Sequence, residues 1–346
     1  MNQQLNNAFT LFLSLLVEAM PFLLLGVLFS GLLLLFVDER QLIARLPKNP
    51  LLGALVGSMV GLLFPVCECG NVPVARRLLM QGVPAPVAIG FLLAAPTINP
   101  IVIWATWTAF RDQPEIVILR VVFSLAIATV IGWVFSAQAD LRPLLQPPIA
   151  AALKTRLSQP ETKQLSDLRQ AQTPELLRAG TYWLAQPGQP VRMDATVLQA
   201  RLAATPPTQP LPNRLRLLLD NTVQELRELG AVLVLGSAIA AVIQVAVPRE
   251  VILSLGAGPI TSIVGMMLLA GLVSICSTVD SFFALSFAST FTSGSLLAFL
   301  VFGPMIDLKG IGLMLSIFKP RAVIYLFTLA AQLTFLFTMF VNLYVI

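Results

Sequence analysis

Two cysteines flank one glutamate in "PVCECGNVPVARR" (65–77), directly after the apolar run "LLGALVGSMVGLLF". Thiolates favour soft metals and thiophilic metalloids. Sulfurs at i and i+2 do not share a face of a regular helix, but they can converge on one ion where the backbone is extended or broken. Cys67 and Cys69 are therefore candidate sulfur ligands, with Glu68 and Asn71 beside them. The competing reading is two small buried hydrophobes, which free cysteine often is. The third thiol, Cys276, precedes "STVDS", whose Asp280 lies in an apolar stretch where a carboxylate is costly without a purpose. Asp280 is the first choice for a protonatable coupling residue. Arg76 and Arg77 either snorkel to head groups at the end of a short crossing, or contact an anion or Glu68 as compensating charge.

A second pair of stretches could bind a polar group in mid-membrane. In "AAPTINP" (94–100), Pro96 and Pro100 bracket Thr97 and Asn99, and freed carbonyls with the Asn99 amide can hold a ligand. "FGPMIDLKG" (302–310) offers Pro304 and the Asp307 carboxylate, with Lys309 near enough to neutralise it. The plainer alternative is a proline kink satisfied by neighbouring helices.

These groups are expensive because of where they stand. Of 346 residues, 57% are hydrophobic and 11% charged, against about 25% charged in soluble domains. Runs such as 22–37 and 322–346 approach or exceed the roughly 20 residues that span a bilayer. In hydrocarbon an unpaired polar group costs several kcal/mol, so charge and irregular backbone survive only in a protein interior or a wet cavity. Pro65 disfavours helix at the residue before it, and Gly70 loosens the chain, so 65–70 reads as a helix break inside the membrane. By contrast, Gly53, Gly57 and Gly61 form a stripe that lets helices approach closely.

Residues 139–216 differ from the rest. They hold 11 of the 25 prolines and 10 of the 22 Lys and Arg against 5 acids, and read as a basic, mostly irregular tether between membrane halves 1–138 and 217–346. The halves resemble each other. Glu18 matches Glu228 and Gly26 matches Gly236 at an offset of 210, Cys67 matches Cys276, and Pro96 and Asn99 match Pro304 and Asp307 at 208. Such duplication is common in secondary transporters, whose substrate sits at the repeat interface. Glu18 and Glu228 each precede an apolar run and read as interfacial. Basic residues at 40–48 and 319–321 put those loops in the cytoplasm. If the stretches 66–82 and 276–292 cross fully, each half has five crossings, the repeats are inverted and the tether lies inside. If they only dip in, the count is eight, the repeats are parallel and the tether lies outside. The tether's charge favours ten.

The expected fold is therefore an all-α polytopic membrane protein with about ten (8–10) transmembrane segments in two pseudo-symmetric, inverted repeats with broken helices. The start "MNQQLNNAF" reads as mature sequence rather than a signal peptide. The chain has no histidine, which removes the commonest metal ligand and proton shuttle, and no P-loop lysine motif. No cofactor, no enzymatic activity and no nucleic-acid partner are expected. The net charge of +5 belongs to membrane loops.

"FPVCECGNVPVARRLLMQGVPAPVAIGFLLAAPTINPIV" together with "LVSICSTVDSFFALSFASTFTSGSLLAFLVFGPMIDLKGIGLM" resembles the predicted permeases of the YraQ type. Their relatives are ArsP-type permeases, which export trivalent organoarsenicals. The resemblance covers both membrane halves and not the tether. It implies roles in the substrate path for Cys67, Cys69, Cys276 and Asp280, and for the turns at Pro96, Asn99, Pro304 and Asp307. The function expected is a bacterial inner-membrane permease moving a small thiophilic or anionic solute, such as a metalloid compound, by alternating access. The alternatives are a membrane thiol-redox protein using Cys67 and Cys69, and the membrane subunit of a larger complex. Its partners would be lipid, the solute, and either further copies of itself or a separately encoded subunit.

Overall fold

Proline and short polar side chains set where the helices begin. The computed structural model describes residues 2–36, 46–47, 49–64, 67–137, 142–147, 149–150, 211–246, 258–288 and 290–344. Within them Pro50, Pro100, Pro114, Pro259 and Pro320 each open a helix, where a missing N–H costs little. Asn49, Asn99, Thr292 and Asp307 each stand one residue before a helix, and each side-chain oxygen accepts an N–H of the first turn.

The first half carries α1 (Asn2–Phe36), α2 (Pro50–Val60, extended by one 3-10 turn to Leu63), α3 (Glu68–Met80), α4 (Ala85–Ile98), α5 (Pro100–Ala109) and α6 (Pro114–Ser136). The second carries α7 (Leu211–Ala246), α8 (Pro259–Val273), α9 (Asp280–Leu285), α10 (Ser293–Met305), α11 (Leu308–Met314) and α12 (Pro320–Tyr344). The same order of long and short helices occurs in both. Among the described residues six stretches are long and apolar enough to cross a membrane, three in each half: Leu5–Leu32, Ala85–Ala109, Pro114–Ser136, Thr222–Ala246, Ser293–Met314 and Pro320–Tyr344. Pro50–Leu63 and Pro259–Val273 are apolar but shorter. The described residues are those of a multi-pass membrane protein, and their regular elements are all helical. The tether expected over 139–216 lies mostly outside the described residues, and α7 begins within it.

Helices α4 and α10 touch each other at the centre. Around them, α4 packs on α2, α3 and α6, and α10 on α6, α8, α9 and α12. The glycine stripe of α2 faces α4 so closely that a Cβ on Gly57 would lie 2.1 Å from the Val87 carbonyl oxygen, and one on Gly61 2.8 Å from the Ala95 Cα. Outermost, α1 and α7 lie against each other and expose Leu13, Val17, Leu24, Val234, Leu235 and Ile239, the apolar face that lipid requires.

The break in the first half is shorter than the sequence suggests. Phe64 and Cys67 are extended, and the chain is helical again from Glu68. Pro65 lies outside the described residues. Gly70 is inside α3 rather than in the break, and its role is contact: a Cβ on Gly26 would fall 2.2 Å from the Gly70 oxygen. In the second half, α8 ends at Ser274 in the left-handed region, φ 49°. Residues 275–279 then run without helix to Asp280. Each half's short helix reaches the other half: α3 packs on α11, and α9 on α5.

Candidate functional site

The two irregular stretches meet between the halves. Cys67 closes the first as the extended residue before α3, and Cys276 lies in the second. The Cys67 Sγ, a Glu68 carboxylate oxygen and the Cys276 Sγ all lie within 4.8 Å of one another, and all three residues are buried. Ligand atoms bound to one soft ion at about 2.3 Å are at most about 4.6 Å apart, so small side-chain shifts would let these three hold one. The sequence pairs Cys67 with Cys69. The structure adds Cys276 to Cys67, while Cys69, buried in the first turn of α3, lies outside this three-atom group although its thiol still interacts with that of Cys67.

The Lys309 ammonium lies 3.8 Å from Glu68 Oε1. It stands in the first turn of α11, capped by Asp307, whose Oδ1 accepts the Gly310 N–H at 2.6 Å. The Leu308 N–H donates to Ser274 Oγ at 3.1 Å, tying the two turns of the second half together. Glu68 Oε2, Asn71 Oδ1 and Asp307 Oδ2 are buried and accept no hydrogen bond among the described residues, while Asn71 donates to the Leu92 carbonyl.

The other predicted residues take local partners. Asn99 caps α5 by accepting the Val102 N–H at 2.9 Å, and Thr97 donates to Ala94 O at 2.8 Å. Pro96 and Pro304 fall near the ends of α4 and α10, and Pro100 opens α5. Arg76 and Arg77 neither snorkel nor pair with Glu68. They are 4% and 1% exposed, and they reach Glu228 at 3.3 Å and Glu225 at 3.6 Å on α7. Lys309, expected to neutralise Asp307, is within electrostatic reach of it and is also the cation at Glu68.

Asp280 is held by a residue that sequence reasoning passes over. Arg120, on α6, donates to both its oxygens, Nη1 to Oδ1 at 3.1 Å and Nη2 to Oδ2 at 2.7 Å, and also to Thr106 and Ser281. The available signal is that Arg120 is a lone cation in the apolar helix "PEIVILRVVFSLAIATVIGWVFS".

A family model described as "Predicted permease" matches residues 4–343. The chain belongs to this ArsP-type permease family. The permease is 37% identical over 325 residues to the UPF0718 protein YcgR of Bacillus subtilis (strain 168), covering 94% of this chain and 92% of that one. It is 31% identical over 315 residues to a Streptococcus mutans protein named "Putative two-component membrane permease complex subunit", covering 91% and 88%. No solved structure matches it. Among the described residues, the ion pairs Arg76–Glu228, Arg77–Glu225, Arg120–Asp280 and Lys309–Glu68 each join one half of the permease to the other.

Proposed function

We propose that this permease is a secondary transporter that exports a small thiophilic solute, such as a metalloid compound, across the bacterial inner membrane by alternating access. The observation that carries the reading is the buried group of Cys67, Glu68 and Cys276, contributed by two irregular stretches in opposite halves. Motion of one half against the other would open and close a site built this way. Asn71 and Asp307 border it with their unused acceptors. Asn99 and Thr97 act on it indirectly, by fixing the α4–α5 turn.

The site is tested by transport. In proteoliposomes, Cys67→Ser and Cys276→Ser are each expected to abolish phenylarsine oxide transport, whereas Cys69→Ser retains most of it. Full transport by the Cys67→Ala/Cys276→Ala variant would remove the sulfur role and leave the break as a backbone device.

The same reading has residues 1–138 and 217–346 as repeats of opposite orientation, with ten crossings and the tether 139–216 in the cytoplasm. Two observations support it. Besides three long spans, each half has a shorter apolar helix and one short helix beside the break, five elements in the same order. The start of the tether pairs with the α11–α12 connection: Lys319 N–H donates to Leu144 O at 2.8 Å and Gln146 N–H to Ile317 O at 2.9 Å. That connection carries Lys319 and Arg321, the positive-inside signal. In intact cells, a cysteine introduced as Pro160→Cys is expected to resist impermeant maleimide while Asn2→Cys reacts. Labelling of position 160 from outside would sink the ten-crossing arrangement.

A second reading, favoured by the name of the Streptococcus mutans relative, makes the permease one subunit of a two-component complex. Co-purification of one stoichiometric, separately encoded protein from native membranes supports it.

A further inference from the structure

Lys309 is in an unfavourable place for a cation. It occupies the first turn of α11, the positive end of that helix, and is 2% exposed. Its ammonium stands 3.8 Å from Glu68 Oε1, beyond the usual 2.7–3.2 Å of a hydrogen bond. Glu68 has a second oxygen, and Asp307 an Oδ2, that accept no hydrogen bond among the described residues. Asp307 also lies within electrostatic reach of both Lys309 and Glu68. Two carboxylates and the thiols of Cys69 and Cys276 thus act on one ammonium, with Cys67 beside them.

That balance decides between solute classes. An anion entering here would meet two carboxylates with spare lone pairs and one cation already engaged. A neutral dithiol-seeking compound would use Cys67 and Cys276 and gain nothing from Glu68. A soft cation uses all three ligands, the thiols binding as thiolates with their protons released to solvent. Such a cation would sit beside the Lys309 ammonium, and like charges a few ångströms apart in a buried site repel strongly. The flexible stem of Lys309 allows its ammonium to leave Glu68, and Asp307 offers the acceptor.

Resting on the thiol site proposed above, we infer that the solute is a thiophilic cation ligated by Cys67, Glu68 and Cys276, and that Lys309 is an internal cation competing with it for Glu68. Lys309 keeps the affinity low enough for release. Its return to Glu68 expels the cation once the site opens to the other side.

The test uses purified full-length permease with Cd²⁺ and phenylarsine oxide as probes, followed by cadmium–thiolate absorption and equilibrium dialysis. Lys309→Met is expected to raise the ratio of Cd²⁺ to arsenical affinity by about tenfold or more and to stall Cd²⁺ transport in the bound state. The paired change Glu68→Gln/Lys309→Met removes both charges together and guards against misfolding of the single variant; it is expected to lower that ratio by about tenfold. A ratio in the paired variant equal to that of Lys309→Met alone overturns the role of Glu68. A lowered or unchanged ratio in monodisperse Lys309→Met protein overturns the competitor. Arsenical binding without Cd²⁺ binding overturns the cationic solute and leaves the thiol site standing, whereas binding of neither removes both.

Discussion

Arg120→Met is expected to destabilise the solubilised permease by about 3–5 kcal/mol, because it leaves Asp280 as a buried carboxylate with no cation. Both residues are essentially inaccessible, and the guanidinium also serves Thr106 and Ser281, so one substitution strands several polar groups. Arg120→Lys should recover little, since an ammonium cannot reproduce the two-pronged contact. Arg120→Met/Asp280→Leu, in contrast, removes both charges and should regain much of the loss. Thermal melting of the four proteins in one detergent tests this. If Arg120→Met melts with the wild type, the pair is incidental to stability.

Gly26→Ala should be poorly tolerated while Gly236→Ala, at the matching position of the second half, is neutral or slightly stabilising. The difference lies in the neighbours. On α1 the added methyl would lie 2.2–2.6 Å from the backbone of Gly70, and backbone cannot step aside as a side chain can. On α7 the nearest atom would be the Lys309 Cα at 3.5 Å, an ordinary contact. Removing a glycine from a helix interior is worth about 0.5–1 kcal/mol where space allows. At Gly26 the α1–α3 crossing must open, and α3 carries Glu68 with Cys67 at its start, so loss of transport should accompany the drop in melting temperature. Equal behaviour of the two variants would contradict the close crossing of α1 and α3.

Local rules are what the sequence makes legible. A glycine every fourth residue in α2 announces a close helix crossing, and Gly57 makes one. "AAPTINP" and "FGPMIDLKG" read as turns between helices, and in the structure Asn99 and Asp307 each cap the helix that follows. The matched blocks of the two halves correspond to the same order of helices. Pairings between the halves are not legible, because nothing local encodes them. Arg76 finds Glu228 across 152 positions and Arg120 finds Asp280 across 160. Adjacency in sequence therefore suggests the wrong partner for Arg76, Glu68 in place of Glu228, and misses Cys276 as a neighbour of Cys67. Gly70 misleads for a similar reason: a glycine after a proline looks like a loosened chain, whereas its small size is used for contact with α1.

The four ion pairs across the two halves have a consequence for how the chain is made. The N-terminal part supplies Arg76, Arg77, Arg120 and Glu68, and the later part supplies Glu228, Glu225, Asp280 and Lys309. During synthesis helices α1–α6 leave the ribosome with three cations and one carboxylate whose partners have not yet been translated. Until they arrive, those helices must wait in the insertion machinery, in wet contacts, or under a chaperone, because lipid is a poor solvent for bare arginine. The later helices bring three carboxylates and one cation, a complementary set. Completion of the chain is thus also its charge neutralisation, and a polypeptide cut short before α7 would be left as a substrate for membrane proteases.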